Sequence, residues 1–141
     1  MEDCIKLHYV VDGQDFVSCG RASEDVKRTL KSLGISSQII RKVAIAMYEG
    51  EVNMVIHAEG GVADVEIYAN RIEIVLSDKG KGIVDIEKAM QEGYSTATDE
   101  IRELGFGAGM GLPNMKKYTD EMIIESMVNV GTKITMRVNI V

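Results

Sequence analysis

The pattern of hydrophobic and polar residues changes its period several times along the chain. Apolar and polar side chains alternate, as they do in a half-buried strand, over five segments: 5–11, 63–68, 72–77, 122–127 and 132–140. Apolar side chains recur every three to four residues over 22–33 and 37–58, which predicts two helices, and shorter helices are predicted around 85–91 and from 112 to 120. The predicted order of elements is β, α, α, β, β, α, α, β, β.

The connections between these elements predict the fold class. Turns at 70–71 and 128–131 join neighbouring strands, so we expect a mixed, mostly antiparallel sheet. The helices must cover one face of that sheet, which makes an α+β two-layer sandwich in a single domain over residues 1–141. Gly60 and Gly61 are expected to end the second helix. Residues 92–111 are rich in Gly, Ser and Thr and predict a long loop, a feature that in a compact domain usually marks a lid or disorder.

Composition narrows the class of protein. The chain has 141 residues, 45% of them hydrophobic, which is enough for one core and excludes a disordered protein. Its net charge of −6 argues against nonspecific binding to nucleic acid or to a membrane surface. Cys4 and Cys19 form no CxxC pair, so we expect reduced thiols and a cytoplasmic protein. Neither a signal peptide nor a membrane span is predicted.

The first candidate site lies on the second predicted helix. Glu49 and Asn53 are four residues apart and therefore share one helix face, with His57 one turn further on. A carboxylate and a carboxamide in this arrangement can supply a general base and an oxygen ligand for Mg²⁺, although a solvated polar stripe gives the same pattern. Gly50 in the middle of the helix indicates a close approach by another element. Glu51 is expected at the surface, and His57 is expected to bond locally at the helix end.

The second candidate segment follows the strand at 72–77. Asp78 stands at the end of that strand, and Gly80 and Gly82 come directly after it. The carboxylate can accept a hydrogen bond from the amino group of a base, and the glycines let the backbone lie against a flat ring. A simple glycine turn between a strand and a helix is the alternative.

The third candidate segment precedes the last predicted helix. Its four glycines are spaced two residues apart: Gly105, Gly107, Gly109 and Gly111. Consecutive exposed N–H groups beside a helix N-terminus suit phosphate groups, whereas a flexible hinge is the alternative. The spacing is neither that of a Walker A loop nor that of a Rossmann GxGxxG turn.

The order and separation of these three segments resemble the GHKL superfamily, whose members share the Bergerat ATP-binding fold. Glu49 and Asn53 resemble its N box, residues 78–82 its G1 box, and residues 105–112 its G2 box, while Gly131 and Thr132 resemble its Gly-Thr element. The resemblance covers residues 36–140. Within the superfamily the chain is most similar to the small anti-sigma factors and serine kinases of the RsbW- and RsbT-like group.

The resemblance implies a role for each matching residue. Glu49 would be the general base, Asn53 would hold Mg²⁺, and Asp78 would receive the adenine amino group. The remaining nucleotide-binding residues implied are Gly80, Gly82, Gly105, Gly107, Gly109, Gly111 and Thr132. Lys79 and Lys81 depart from the usual G1 sequence and are expected to stay in solvent. Arg102, in an extended lid, is expected to be solvated rather than to reach a phosphate or a partner.

The implied function is an ATP-dependent serine/threonine protein kinase acting as an anti-sigma or partner-switching regulator. Its cofactors would be ATP and Mg²⁺, and its protein partners a small STAS-type antagonist, a sigma factor, or both. The alternative is a catalytically weak nucleotide-sensing module that holds such a partner. A histidine kinase is disfavoured, since the chain has no room for a separate helical domain with a phosphorylated histidine. Homodimerisation is left open.

Overall fold

The computed structural model describes residues 3–13, 19–58, 60–83, 85–90 and 111–140. Five strands are formed in these ranges: β1 (Ile5–Asp12), β2 (Gly60–Ile67), β3 (Arg71–Asp78), β4 (Glu121–Met127) and β5 (Gly131–Asn139). The described helices are α1 (Arg21–Ser32), α2 (Ser37–His57), α3 (Ile86–Ala89) and α4 (Gly111–Lys117). Over the described residues, the elements follow the predicted order.

The strands form one sheet in the order β1-β2-β3-β5-β4. Every pairing among the described strands is antiparallel, which agrees with the predicted mostly antiparallel sheet, and no parallel pair occurs among these strands. The alternation of side chains sends one row from each central strand into the core: Ile72, Ile74 and Leu76 from β3, and Ile134, Met136 and Val138 from β5. The helices cover this face, and the predicted α+β sandwich is confirmed.

Helix α2 is the central element of the helical layer. Ser36 begins it by accepting a hydrogen bond from the Ile39 N–H, and its 21 residues pack against α1 on one side and α4 on the other. Gly50 allows the helix to approach the sheet, because a Cβ atom at this position would lie 2.1 Å from Leu76 Cδ1. The predicted close approach at Gly50 is therefore confirmed.

Some boundaries differ from the predicted ones. Gly60 and Gly61 begin β2 rather than ending α2, because they pair with Asp12 and Val11 of β1. The glycine-rich loop falls almost wholly outside the described residues, except that Gly111 opens α4. Within the described part of the chain, no helix is long and apolar enough to cross a membrane.

Candidate functional site

Asp78 is fixed at the end of β3 by two backbone groups. Its Oδ1 atom accepts hydrogen bonds from Gly80 N at 2.9 Å and from Thr132 N at 3.2 Å. These bonds orient the half-buried carboxylate and leave Oδ2 without a hydrogen bond among the described residues. A carboxylate held in this way offers one free acceptor in a defined direction, which suits an amino group on a ligand.

The loop after Asp78 is packed too tightly for side chains at its glycines. A Cβ atom on Gly80 would lie 2.7 Å from Ala58 Cα, at the end of α2. Gly82 has a positive φ of 77°, and a Cβ atom there would lie 2.4 Å from the carbonyl oxygen of Met127. Both glycines are therefore required by the way the loop lies between α2 and the β4–β5 turn. Lys79 and Lys81 are exposed, as predicted.

Glu49 and Asn53 both face α4. The Asn114 side chain donates to Glu49 Oε1 at 3.4 Å, and the Asn53 amide nitrogen donates to Met115 Sδ at 3.8 Å. Both side chains are half-buried rather than free in solvent. The two side chains therefore lie between α2 and α4 in contact with α4 residues, which differs from the solvated polar face considered as the alternative.

Asn53 also contacts the start of α4. A Cβ atom on Gly111 would lie 3.0 Å from Asn53 Oδ1, so only the absence of a side chain at Gly111 leaves the amide oxygen accessible from that direction. The Asn53 amide oxygen is a donor atom of the kind that suits a Mg²⁺ ion. Magnesium prefers oxygen ligands and in nucleotide sites often takes one or two from the protein and the rest from phosphates and water.

Thr132 belongs to a small polar network beside Asp78. Its hydroxyl lies 2.8 Å from Ser126 Oγ, and Ser126 Oγ accepts a hydrogen bond from Ile83 N at 2.8 Å. The network ties the loop after β3 to the β4–β5 hairpin. Ser126 was not predicted from the sequence, because a serine in an alternating strand gives no signal of its own.

The structure brings several of the predicted residues to one side of the molecule. Asp78 and Gly80 lie at the C-terminal end of α2, and Gly111 lies one turn back along that helix, at Asn53. Thr132 joins the same group through β5. Gly105, Gly107, Gly109, Arg102 and the side chain of His57 lie outside the described residues.

The sequence pattern of the histidine kinase-like ATPase domain matches residues 17–138, which is most of the chain. The chain belongs to this family. The resemblance to the GHKL superfamily is thereby confirmed.

The relatives of this ATPase-domain protein include proteins named as an anti-sigma factor and as a serine/threonine-protein kinase. The anti-sigma F factor of Caldanaerobacter subterraneus subsp. tengcongensis is 38% identical over 102 residues, covering 69% of this chain and 68% of that protein. The serine/threonine-protein kinase RsbT of Bacillus subtilis is 31% identical over 112 residues, covering 77% of this chain and 78% of that kinase.

Solved structures support the same fold. The RsbU and RsbW domains of Rv1364c from Mycobacterium tuberculosis match 95% of this chain with a TM-score of 0.63 and 17% identity, although this chain spans only 32% of that longer protein. The mycobacterial sensor histidine kinase MprB matches 94% of this chain and 97% of its own, with a TM-score of 0.55 and 17% identity.

Glu51 was predicted at the surface of this ATPase domain, and that prediction was wrong. Its side chain is only 2% exposed and accepts hydrogen bonds from Gly20 N at 2.8 Å and Ser23 N at 2.7 Å, at the N-terminus of α1. Burial, together with the Glu51 carboxylate, raises the pKa of the Cys19 thiol to about 11. Glu51 is thus a structural anchor on the opposite side of α2 from Glu49.

Proposed function

We propose that this protein is an ATP-dependent serine/threonine protein kinase that acts as a partner-switching regulator. The observation that carries the proposal is the group formed by Asp78, Asn53 and Gly111, together with Glu49 on the same helix stripe as Asn53. An oriented acceptor for a base amino group lies near the C-terminal end of α2, and an accessible amide oxygen and a carboxylate lie further back along the same helix. Membership of an ATPase family supports ATP as the nucleotide.

The proposed residues divide the work of binding and chemistry. Asp78 Oδ2 accepts from the adenine amino group, while Gly80 and Gly82 let the backbone lie along the ring. Asn53 Oδ1 would hold Mg²⁺, and the ion would offset charge on the phosphates. Phosphoryl transfer depends mainly on positioning and on charge stabilisation, so a few well-placed groups suffice.

Glu49 is the proposed general base. It accepts the proton of a substrate serine or threonine hydroxyl as that oxygen forms a bond to the γ-phosphorus, while the bond from phosphorus to the ADP oxygen breaks. Asn114 donates to Glu49 Oε1 and orients the carboxylate, which leaves Oε2 for the substrate proton.

The names of the relatives support a protein substrate and a regulatory role. One relative is named an anti-sigma factor and another a serine/threonine-protein kinase, so we propose a small STAS-type antagonist as substrate and a sigma factor or similar regulator as the held partner. A cytoplasmic location and a single domain over residues 1–141 are part of the same proposal. The second candidate is a nucleotide-sensing module without useful catalysis.

A labelling experiment tests the kinase. The protein is incubated with Mg²⁺, [γ-³²P]ATP and, one at a time, each small STAS-domain protein encoded in the same genome. We expect label in one of them, and Glu49→Ala should lower the labelling rate by about 10²–10⁴, the usual size of general-base catalysis, while leaving ATP affinity within a few-fold. Glu24→Ala, at an exposed position on α1, is the matched control.

The outcomes separate the two candidates. Normal labelling by Glu49→Ala would contradict the role of Glu49 as base. ATP binding without label in any STAS protein would favour the nucleotide-sensing module, and absence of ATP binding would contradict both.

A further inference from the structure

The turn between β4 and β5 exposes an unusual number of apolar side chains. Met127, Val128 and Val130 are 65%, 48% and 58% exposed. Turns normally carry Gly, Asn, Asp, Ser or Pro, whose backbone preferences and hydrogen bonds suit them. Exposed apolar side chains that stand together, rather than singly, mark an interaction site.

The turn is held rigidly by the loop that follows β3. Asn129 N donates to the carbonyl oxygen of Lys81 at 2.8 Å, and Ile83 N donates to Ser126 Oγ at the same distance. Gly82 packs against the backbone of Met127. Because these contacts fix the turn in advance, a partner that binds it loses little conformational entropy in ordering it.

Two lysines flank the turn on this same loop. Lys79 and Lys81 are both exposed and form no ion pair with any described residue. The Cα atom of Lys79 lies against Gly131 at the base of the turn. Two positive charges without an ion-pair partner in the described part of the chain, beside three apolar side chains, are a local exception in a protein whose net charge is −6.

We propose that Met127, Val128, Val130, Lys79 and Lys81 form a docking surface for a partner protein. We name it the turn surface. Its chemistry fits an amphipathic segment whose apolar side chains are flanked by Asp or Glu, since the apolar atoms bury area and the carboxylates pair with the lysines. The proposal does not depend on kinase activity or on nucleotide.

Charge also argues against two other occupants. A second copy of this chain, related by a two-fold axis, would bring the same surface against itself and place the lysine pairs close together. An anionic membrane normally requires clusters of about four to eight basic residues, whereas this surface has two and belongs to an acidic protein.

Fluorescence anisotropy with synthetic peptides tests the turn surface. The probe is a labelled helical peptide of about eighteen residues with Leu on one face and Glu on the other, and its twin carries Lys in place of Glu. We expect the wild-type protein, without nucleotide, to prefer the Glu peptide, and Val128→Ser/Val130→Ser to weaken that binding by about tenfold or more. Lys79→Glu/Lys81→Glu should reverse the preference and favour the Lys peptide, a gain that unfolding does not produce.

Matched variants on other surfaces are the controls. Val10→Ser removes a more exposed valine from β1, and Lys27→Glu/Lys42→Glu reverses two exposed helical lysines, so both should bind the Glu peptide like the wild type. Equal binding by all variants would overturn the proposal. Binding to vesicles that contain phosphatidylglycerol, in place of binding to the peptide, would assign the surface to a membrane. A dimer in sedimentation that Val128→Ser/Val130→Ser abolishes would assign the surface to a second copy. Either result would also overturn the proposal.

Discussion

At the scale of single residues, Glu49 and Glu51 show how two carboxylates on one helix acquire different roles. They are two positions apart, so their side chains diverge by about 200° around the helix axis. Glu49 faces α4 and is half-buried, whereas Glu51 points to the N-terminus of α1 and accepts two backbone N–H groups. The local sequence does not distinguish them, because the groups that bury Glu51 come from residues about thirty positions earlier in the chain.

Glu51→Ala should destabilise the protein severely. It removes two charge-assisted hydrogen bonds and leaves the N–H groups of Gly20 and Ser23 without their acceptor, so we expect a loss of about 2–4 kcal/mol in the free energy of unfolding. Urea unfolding followed by circular dichroism measures it. Glu87→Ala, at an exposed position, should change stability by less than about 0.5 kcal/mol. Equal effects would mean that Glu51 does not anchor α1.

Asp78→Asn should abolish most nucleotide binding. If the amide oxygen keeps the bonds to Gly80 N and Thr132 N, the amide nitrogen replaces Oδ2 and presents a donor to the donor amino group of adenine. The rise in melting temperature with saturating ATP and Mg²⁺ should therefore almost disappear. Asp64→Asn, on the outer face of β2, should keep the full rise. An unchanged rise in Asp78→Asn would remove this residue from the adenine pocket.

At the scale of elements, α2 connects the core to the candidate site. One face packs against the sheet at Gly50, a second places Glu49 and Asn53 next to α4, and a third places Glu51 next to α1. Close packing on one face restricts rotation of the whole helix about its axis. The contact at Gly50 therefore also fixes the direction in which Glu49 and Asn53 point.

The sign of the stability change caused by Gly50→Ala tests this packing. Alanine is favoured over glycine in a helix by about 1 kcal/mol, but its Cβ would overlap Leu76, which is only 2% exposed and has little room to move. We expect Gly50→Ala to lower stability in the wild-type background. In a Leu76→Val background, where the colliding methyl group is absent, the same change should cost less or stabilise. Equal cost in both backgrounds, measured by urea unfolding, would exclude Leu76 as the cause.

Most of the elements were predictable because their periodicity is strong. Burial of one face imposes alternation on β3 and β5, and the tight connections indicate antiparallel pairing. Helix α2 was predicted to within one residue at its end, but Gly60 and Gly61 were assigned to the helix stop rather than to β2, since glycines signal a helix stop and a strand start equally well. For the candidate site, the i, i+4 spacing made Glu49 and Asn53 candidates, and its position at the end of a strand before two glycines made Asp78 another. Asn114 and Ser126 are recognisable only once the fold places them beside the candidate residues.

At the scale of the whole molecule, the two sides of α2 are separate regions. Helix α4 and the loop after β3 lie on the side of β5 and β4, where Gly111 contacts Asn53 and Thr132 contacts Asp78. Helix α1 lies on the side of β1 and is held by Glu51. A ligand in the candidate site would contact the first region and leave the second free, so its effect on local stability should be uneven across the molecule.

Amide hydrogen exchange should reveal this unevenness. With saturating ATP and Mg²⁺ we expect slower exchange at residues 80–83, at Thr132 and in α4, because the ligand bridges these segments. The amides of Gly20 and Ser23 should slow only by the amount that the rise in global stability produces. In Asn53→Ala the slowing should be lost first in α4, which the Mg²⁺ ligand would tie to α2, and retained in part at 80–83, where Asp78 still holds the base. Uniform slowing over both regions, or a specific change at Gly20 and Ser23, would place the nucleotide elsewhere on the protein.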